Sequence, residues 1–270
     1  MHWIVQENIC QEKKWGELIS SLDRLNVHFS IHKVVPFSGE LIPPAVVPAG
    51  SKVFAYGSIS LEEVCKRNNW HPGVIDIPNF SEQIEHWKYH LLNHDATLWS
   101  LQMLAYARLP DVYGDTVFVR PTDDSKFIKG QLMTRDEVYE WARKVVYLKE
   151  DDGSGAIDHT FSDLMICERK NILSEARFWI IDGRVVTYST YKIGRNFTQS
   201  KMLVDQDMIS FAGFITSGWE PAKAYCLDLC RTEESEIKIV EINNINSSGL
   251  YDCDTQLLVS AIEGTFNRKL

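Results

Sequence analysis

A chain of 270 residues with 44% hydrophobic and 24% charged side chains buries roughly 70–75% of its unfolded surface, so it needs no disulfides or structural metal to fold. Its 15 glycines and 9 prolines exclude a collagen-like or low-complexity chain. The 28 basic against 37 acidic side chains, a formal charge of −9 and a pI near 5.4 argue against a surface built to neutralise a nucleic-acid backbone, so any anionic ligand needs a local basic pocket.

Six cysteines stand at 10, 65, 167, 226, 230 and 253 with no C-x-x-C pair, and they read as reduced thiols of a cytoplasmic protein. Met1-His2-Trp3-Ile4-Val5 has no basic leader and is not expected to be a signal peptide. No apolar run approaches the ~18 residues of a membrane span.

In chain order, the first hundred residues alternate short apolar runs with helix-like stretches, which predicts an α/β arrangement. Runs at 3–5, 34–37 and 53–56 read as strands, and 15–25 and 61–69 as helices. Ser60, with Glu63 three residues on, reads as the N-cap of a helix that follows the strand ending Ala55-Tyr56-Gly57. Pro43-Pro44-Ala45-Val46-Val47-Pro48 reads as a rigid connector or an edge segment. Residues 80–108 are expected to be helical until Pro110 and Gly114 stop them. The expected division is 1–95 and 96–270, the second part as 96–167 and 168–270.

Beyond the boundary the pattern changes. A β-branched strand is expected over 116–119, a helix over 134–148 capped by Thr134 with Glu137, and a strand over 164–167. Strands over 178–181 and 185–190 are joined by Asp182-Gly183, a type I′ hairpin signal. Strands over 224–229 and 237–242 follow, separated by the polar turn 231–236.

Lys238-Ile239-Val240-Glu241-Ile242-Asn243 puts Glu241 and Asn243 on one face of a strand. Two oxygen ligands side by side, with Asp228 from the preceding strand, suit Mg²⁺ and a nucleotide's phosphates; the other reading is a polar sheet face meeting water. Arg120 ends a strand, and the loop 122–130 carries Asp123, Asp124, Lys126, Lys129 and Gly130, able to close over polyphosphate or simply solvated. Acidic and basic groups recur at Glu168-Arg169-Lys170, Glu175-Ala176-Arg177 and Tyr191-Lys192.

This order of motifs resembles the ATP-grasp superfamily over about residues 95–270, with an α/β domain in front. "FVRP" resembles its first phosphate-binding strand, "MICERK" its adenine hinge, "SEARFWIIDGRVVTYSTYK" its cationic hairpin, and "LDL…KIVEINNINSSGLYD" its metal strands. Lys192 stands where many peptide ligases of the superfamily have arginine, so the chain is similar to the branch named for an arginine-to-lysine exchange, often found in phage and bacterial genomes. The fold implied is α/β and α+β, an ATP-grasp domain with an N-terminal α/β preceding domain and the nucleotide held between two subdomains. The resemblance further implies that Arg120, Lys126 and Lys192 meet the ATP phosphates, that Glu168 lies at the adenine hinge, that Arg177 faces the acyl phosphate, and that Asp228, Glu241 and Asn243 hold Mg²⁺. Arg120 replaces a more usual lysine, and the loop 122–130 lacks the dense glycines of many relatives.

The segment 244–254, with Asn246, Ser247, Ser248, Gly249 and Tyr251, follows the metal strand and forms a candidate substrate loop; the alternative is a Ser-Gly turn before a helix capped by Asp254. Lys149-Glu150-Asp151-Asp152-Gly153 is one residue too long for the K-x-D-G lysine of nucleic-acid ligases and reads as a solvated loop. His86, His90 and His94 would share a helical face, a zinc-ligand spacing more simply read as an amphipathic surface.

The function these features imply is an ATP-dependent carboxylate–amine ligase, forming an amide or peptide bond through an acyl phosphate with ATP and Mg²⁺. The expected partners are small-molecule, peptide or protein carboxylates and amines, with neither nucleic acid nor membrane. The alternatives are a nucleotidyltransferase acting on nucleic-acid ends and a non-catalytic nucleotide-binding protein.

Overall fold

Strand β1 (His2–Gln6) buries four residues in succession, which requires cover on both faces and a central place in a sheet. The computed structural model, which describes residues 1–9, 13–35, 38–122, 129–152 and 163–267, with the backbone alone for 148–152, provides that cover. β1 runs parallel to β2 (His28–Val34) and β4 (Val53–Tyr56). Short strands β3 (Leu41–Ile42) and β5 (Pro72–Gly73) complete the order β3-β2-β1-β4-β5. Trp3, Val5, Phe54 and Tyr56 pack with Leu18 and Leu22 of helix α1 (Trp15–Arg24). The alternate residues Ile4, Val53 and Ala55 pack with Leu61, Val64 and Cys65 of α2 (Ser60–Asn68).

Two expectations here need correction. The second strand lies at 28–34, upstream of the apolar run at 34–37, because pairing with β1 recruits His28 to His32 despite their polarity; residues 36 and 37 lie outside the described set. Ser60 is the first residue of α2 and caps nothing, since Ile59 holds the cap position without a side-chain bond. Ser58 instead engages β1, its backbone N–H and its hydroxyl donating to Gln6 Oε1 at 2.7 and 2.8 Å.

The stretch 80–108 is not one helix. It contains α3 (Phe80–Trp87), a 3-10 turn (Lys88–His90), β6 (Thr97–Trp99) and α4 (Leu101–Tyr106). Lys88 turns the chain at φ +36°, β6 is drawn into a sheet by β9 (Leu164–Glu168), and Ser100 accepts from the Met103 N–H to start α4. His86 alone of the three histidines lies in α3, so the shared helical face does not exist. Among the described residues no group of three or more His, Cys, Asp and Glu could hold a metal ion.

β7 (Thr116–Pro121) and β8 (Gln131–Thr134) join β6 and β9 in an antiparallel sheet of order β6-β9-β7-β8. Val117, Val119, Leu164 and Ile166 turn to one face, where Leu101 and Leu104 of α4 and Val138 and Ala142 of α5 (Arg135–Asp152) cover them. The capping box forms as expected, Thr134 N–H donating to Glu137 Oε2 at 2.7 Å and Glu137 N–H to Thr134 Oγ1 at 3.3 Å. Lys149 to Asp152 continue α5 rather than forming a loop.

The remaining strands form an antiparallel sheet of order β12-β11-β10-β13-β14. They are β10 (Ile172–Ile181), β11 (Arg184–Ile193), β12 (Asn196–Ser200), β13 (Ala224–Thr232) and β14 (Ile237–Asn244). Asp182 and Gly183 take φ +51° and +70°, the signature of the expected type I′ turn. Helix α6 (Gln206–Gly218), absent from the sequence-based expectations, contacts β11 and β13. Asp254 caps α7 (Thr255–Phe266), accepting from Gln256 and Leu257 N–H.

Compactness divides the chain into a unit of Met1–Ile77 with Ile172–Leu270 and a unit of Pro78–Asn171. Asn246 shows how the first unit is stapled: its Nδ2 donates to Ala55 O at 2.6 Å and Gly73 O at 3.0 Å, and its Oδ1 accepts from Ile75 N–H at 2.9 Å. Removing it leaves buried backbone groups unpaired, so Asn246→Ala is expected to lower unfolding stability by roughly 3 kcal/mol. Urea unfolding checks this, and a loss under about 1 kcal/mol would mean that the three bonds carry little.

Cys65, Cys167, Cys226, Cys230 and Cys253 are buried and form no disulfide with one another, and Cys10 lies outside the described residues. Burial pushes the Cys65, Cys167 and Cys230 thiols up to about 12. A maleimide at pH 8 is expected to label these three only after denaturant is added, because the thiolate is the nucleophile. Mass spectrometry of labelled peptides reads the result, and rapid native labelling at Cys167 would contradict it.

Candidate functional site

The site in the first unit begins with strand alternation. On β10, Glu175, Arg177, Trp179 and Ile181 share one face. Trp179 and Ile181 enter the core with Ala224 and Cys226, so Glu175 and Arg177 continue the same face as its polar end. Register places Arg177 beside Asp228, and Asp228 beside Glu241. Three strands thus deliver a cation and two carboxylates in one row, with Asn243 two residues on from Glu241.

Arg177 and Asp228 are 6% and 1% exposed. Arg177 Nε donates to Asp228 Oδ1 at 2.8 Å and Nη2 to Oδ2 at 2.7 Å, a bidentate pair. Asn243 Nδ2 donates to Asp228 Oδ2 at 3.1 Å and to Glu241 Oε1 at 3.0 Å. Burial pushes the Asp228 carboxyl up to about 6 against the pull of Arg177, so it remains charged at neutral pH. Burial disfavours the Arg177 charge, but Asp228 more than offsets this and holds the guanidinium well above its usual value.

Lys192 and Tyr191 meet Glu175 through a β-bulge. Glu175 pairs with Lys192 and Ala176 with Thr190, which leaves Tyr191 as an extra residue; two side chains of one strand then face a single residue of its neighbour. Lys192 Nζ donates to Glu175 Oε1 at 2.5 Å and the Tyr191 hydroxyl to Oε2 at 2.7 Å. The Lys192 side chain keeps 44% exposure, so its ammonium stands at the open edge of the row. Lys192 lies within β11, and Arg177 within β10 rather than ahead of the hairpin, because both strands run further than their apolar residues suggest.

Asn246, Ser247 and Ser248 follow β14, but Asn246 is bonded as described above, and the buried Ser248 donates to Asn244 O at 2.6 Å. The polar atoms of Asn246 and Ser248 are committed to holding the segment to the strands below it; Ser247 is half-buried. In the second unit, Arg120 lies on β7 and Glu168 ends β9, exposed. Arg120 pairs with Met165 and Glu168 with Val117. Since Val117 belongs to the helix-covered face, Arg120 and Glu168 point to opposite faces of that sheet. Lys126 lies outside the described residues.

Glu175 and Tyr191 stand out in the sequence only as neighbours of Arg177 and Lys192 at strand ends, and Tyr251 only as a member of the candidate substrate loop; none is given a role in the polar row there. Glu175 was detectable, standing two residues before Arg177 and thus on the same face of a strand. Tyr191 depends on a bulge and Tyr251 on a loop path, neither of which leaves a periodic signal.

The oxygen donors suit a hard cation. Two carboxylates and one amide match the ligand types of Mg²⁺, and an amide can serve neighbouring carboxylates with its NH₂ or a cation with its oxygen. The residues present therefore fit the ion.

The D-alanine–D-alanine ligase of Bacillus anthracis complexed with ATP is similar in fold, with TM-score 0.58 at 12% identity over 99% of this chain and 98% of that one. A RimK-domain ATP-grasp protein of Sphaerobacter thermophilus has TM-score 0.58 at 9% identity over 92% of each chain. The macrocyclase MdnC of Microcystis aeruginosa, bound with its precursor peptide MdnA, has TM-score 0.52 at 9% identity over 99% and 100%. A search of curated protein sequences returns no match. The profile of the ATP-grasp domain of the arginine-to-lysine clade, family 3, matches residues 50–262. With that match over most of its length and an ATP-grasp fold, the chain belongs to family 3 of the arginine-to-lysine clade of ATP-grasp proteins.

Proposed function

We propose that the chain is an ATP-dependent carboxylate–amine ligase of the cytoplasm, phage-encoded or bacterial, whose substrates are small-molecule or peptide acids and amines. The observation that carries this reading is the single sheet face that brings together Arg177, Lys192, Asp228, Glu241 and Asn243. It holds cations and hard oxygen donors, with no cysteine, serine or histidine among the described residues set up there as a nucleophile, and phosphoryl transfer needs mainly positioning and charge neutralisation.

In the proposed reaction a substrate carboxylate oxygen attacks the γ-phosphorus, the bond to the bridging oxygen breaks, and ADP leaves with the electron pair. An amine then attacks the acyl carbon, phosphate leaves with its oxygen, and the nitrogen loses a proton to form the amide. Lys192 is assigned to the phosphates, where it stabilises charge as it moves toward the leaving group. Arg177 is assigned to the acyl-phosphate side, and its pairing with Asp228 keeps it charged throughout. Glu241, Asn243 and Asp228 would hold Mg²⁺, which when bound screens the phosphate oxygens. Arg120, and with it Lys126, is assigned to phosphate, and the strand end at Glu168 to adenine.

Chromatography of the nucleotide products tests the reading. With a competent acid and amine the expected products are ADP and phosphate. Stoichiometric AMP, or an adenylylated Lys149, would support a nucleotidyltransferase instead, and binding without turnover across many acceptors a non-catalytic protein.

A further inference from the structure

Tyr251 has a backbone φ of +47°, a left-handed conformation that a bulky side chain adopts only where its surroundings hold it there. The chain on both sides is pinned. Gly249 O accepts from Arg177 Nη1 at 3.4 Å, Asp252 N–H donates to Ser189 Oγ at 3.2 Å, and Asp254 N–H donates to Thr187 Oγ1 at 2.9 Å. Ser189 and Thr187 lie on the Arg177 face of the sheet, since they pair with Arg177 and Trp179. The loop is therefore laid along that face, and the strained residue turns its ring into the polar row.

There the ring stacks on Tyr191 with centroids 5.0 Å apart and planes 22° apart. Phe197 and Trp179 meet it edge-on at 5.8 and 6.5 Å. The guanidinium carbon of Arg177 lies 4.8 Å from the Tyr251 ring centre and 5.9 Å from that of Tyr191. Burial pushes the Tyr251 hydroxyl up to about 12, so the ring stays neutral and its face electron-rich. Arg177 could swing about its long side chain if Asp228 alone held it; two aromatic faces restrict it to one orientation.

We propose that Tyr251 is a positioning residue whose ring, with that of Tyr191 beside it, fixes the Arg177 guanidinium so that it clamps both oxygens of Asp228. Asp228 in turn presents a fixed, charged acceptor to Asn243, so the order of the oxygen cluster depends on an aromatic ring that acts on it only through Arg177. The effect on nucleotide binding rests on the ligase reading above; the effect on Arg177 does not.

The test uses the full chain labelled with ¹⁵N and follows hydrogen exchange at the Arg177 Nε–H, alongside calorimetry with ATP and Mg²⁺. Tyr251→Phe keeps the ring face and is expected to retain exchange protection and affinity within about twofold. Tyr251→Leu keeps apolar bulk without a π face and is expected to lose about tenfold in protection, the scale of a desolvated cation–π contact, with weaker Mg²⁺-dependent ATP binding. Lost protection with unchanged affinity upholds the positioning role and counts against the ligase reading. Unchanged protection in Tyr251→Leu, or lost protection in Tyr251→Phe, overturns the proposal. If Tyr251→Leu fails to fold, Tyr191→Leu removes the second ring near Arg177 and is judged by the same exchange measurement.

Discussion

Calorimetric titration of ATP with Mg²⁺ into a Glu241→Gln, Asn243→Ala variant is expected to show binding at least about tenfold weaker than wild type, or about 1.4 kcal/mol. The Glu241→Gln change keeps the shape of the side chain but not its charge, and Asn243→Ala removes the amide that joins Asp228 to Glu241. Asp228 alone does not make good the loss, because its carboxylate, bonded twice by Arg177, is then the one member of the proposed metal set left unchanged. The same two bonds protect the fold: Asp228 is left paired rather than buried alone, the situation that makes loss of one partner of an ion pair so destabilising. The decisive comparison is affinity with Mg²⁺ against affinity with a chelator, since the loss belongs to the metal-dependent part. Equal affinity in a folded variant would remove Glu241 and Asn243 from the metal set.

Lys192→Met is expected to slow phosphoryl transfer by about 10- to 150-fold, the equivalent of ~1.5–3 kcal/mol for a lost charge-assisted hydrogen bond. In the structure the ammonium rests on Glu175, which the Tyr191 hydroxyl also holds. A phosphate reaching Lys192 competes with a carboxylate that keeps one neutral partner after the lysine moves. The substitution therefore removes the charge without leaving Glu175 unbonded, and folding is disturbed far less than rate. Lys192→Arg retains the charge and is expected to keep part of the activity, limited by the fit of a wider planar head. Phosphate release in a single turnover with a competent acid measures both. A wild-type rate for Lys192→Met would transfer the role to Arg177 or to Arg195, which is exposed just beyond Gly194 at the end of β11.

Local chemistry made several parts of the protein readable in one dimension. The Asp182-Gly183 turn, the Thr134–Glu137 capping box and the Asp254 cap each depend on residues no more than three apart, so their partners stand beside them in the chain. The alternation from Glu241 to Asn243 is also local, and it placed these two on one face correctly, although an extra residue at Val240 shifts the register of β14 just before them. Where local signals competed with distant partners, the distant ones prevailed. The apparent helix of 80–108 breaks because β9 recruits Thr97 to Trp99 as a strand, and the apparent cap at Ser60 gives way because Ser58 finds Gln6 from β1.

The site divides in the same way. The charge-bearing residue types could be chosen from the motif order, but the identity of their partners is decided by register. Arg177 clamps Asp228 because β10 and β13 pair them across the sheet, although the two lie 51 residues apart. Lys192 reaches Glu175 because a bulge inserts Tyr191, and an inserted residue changes which face a side chain takes without changing the composition of the strand. The candidate substrate residue Asn246 proves to be spent on Ala55, Gly73 and Ile75, since an amide in a polar loop looks the same in sequence whether it awaits a ligand or closes a core. Residue type and short-range spacing thus determine which chemistry the chain carries; only long-range strand pairing and loop path decide which groups meet, because hydrogen-bond partners more than a few residues apart leave no periodic trace along the chain.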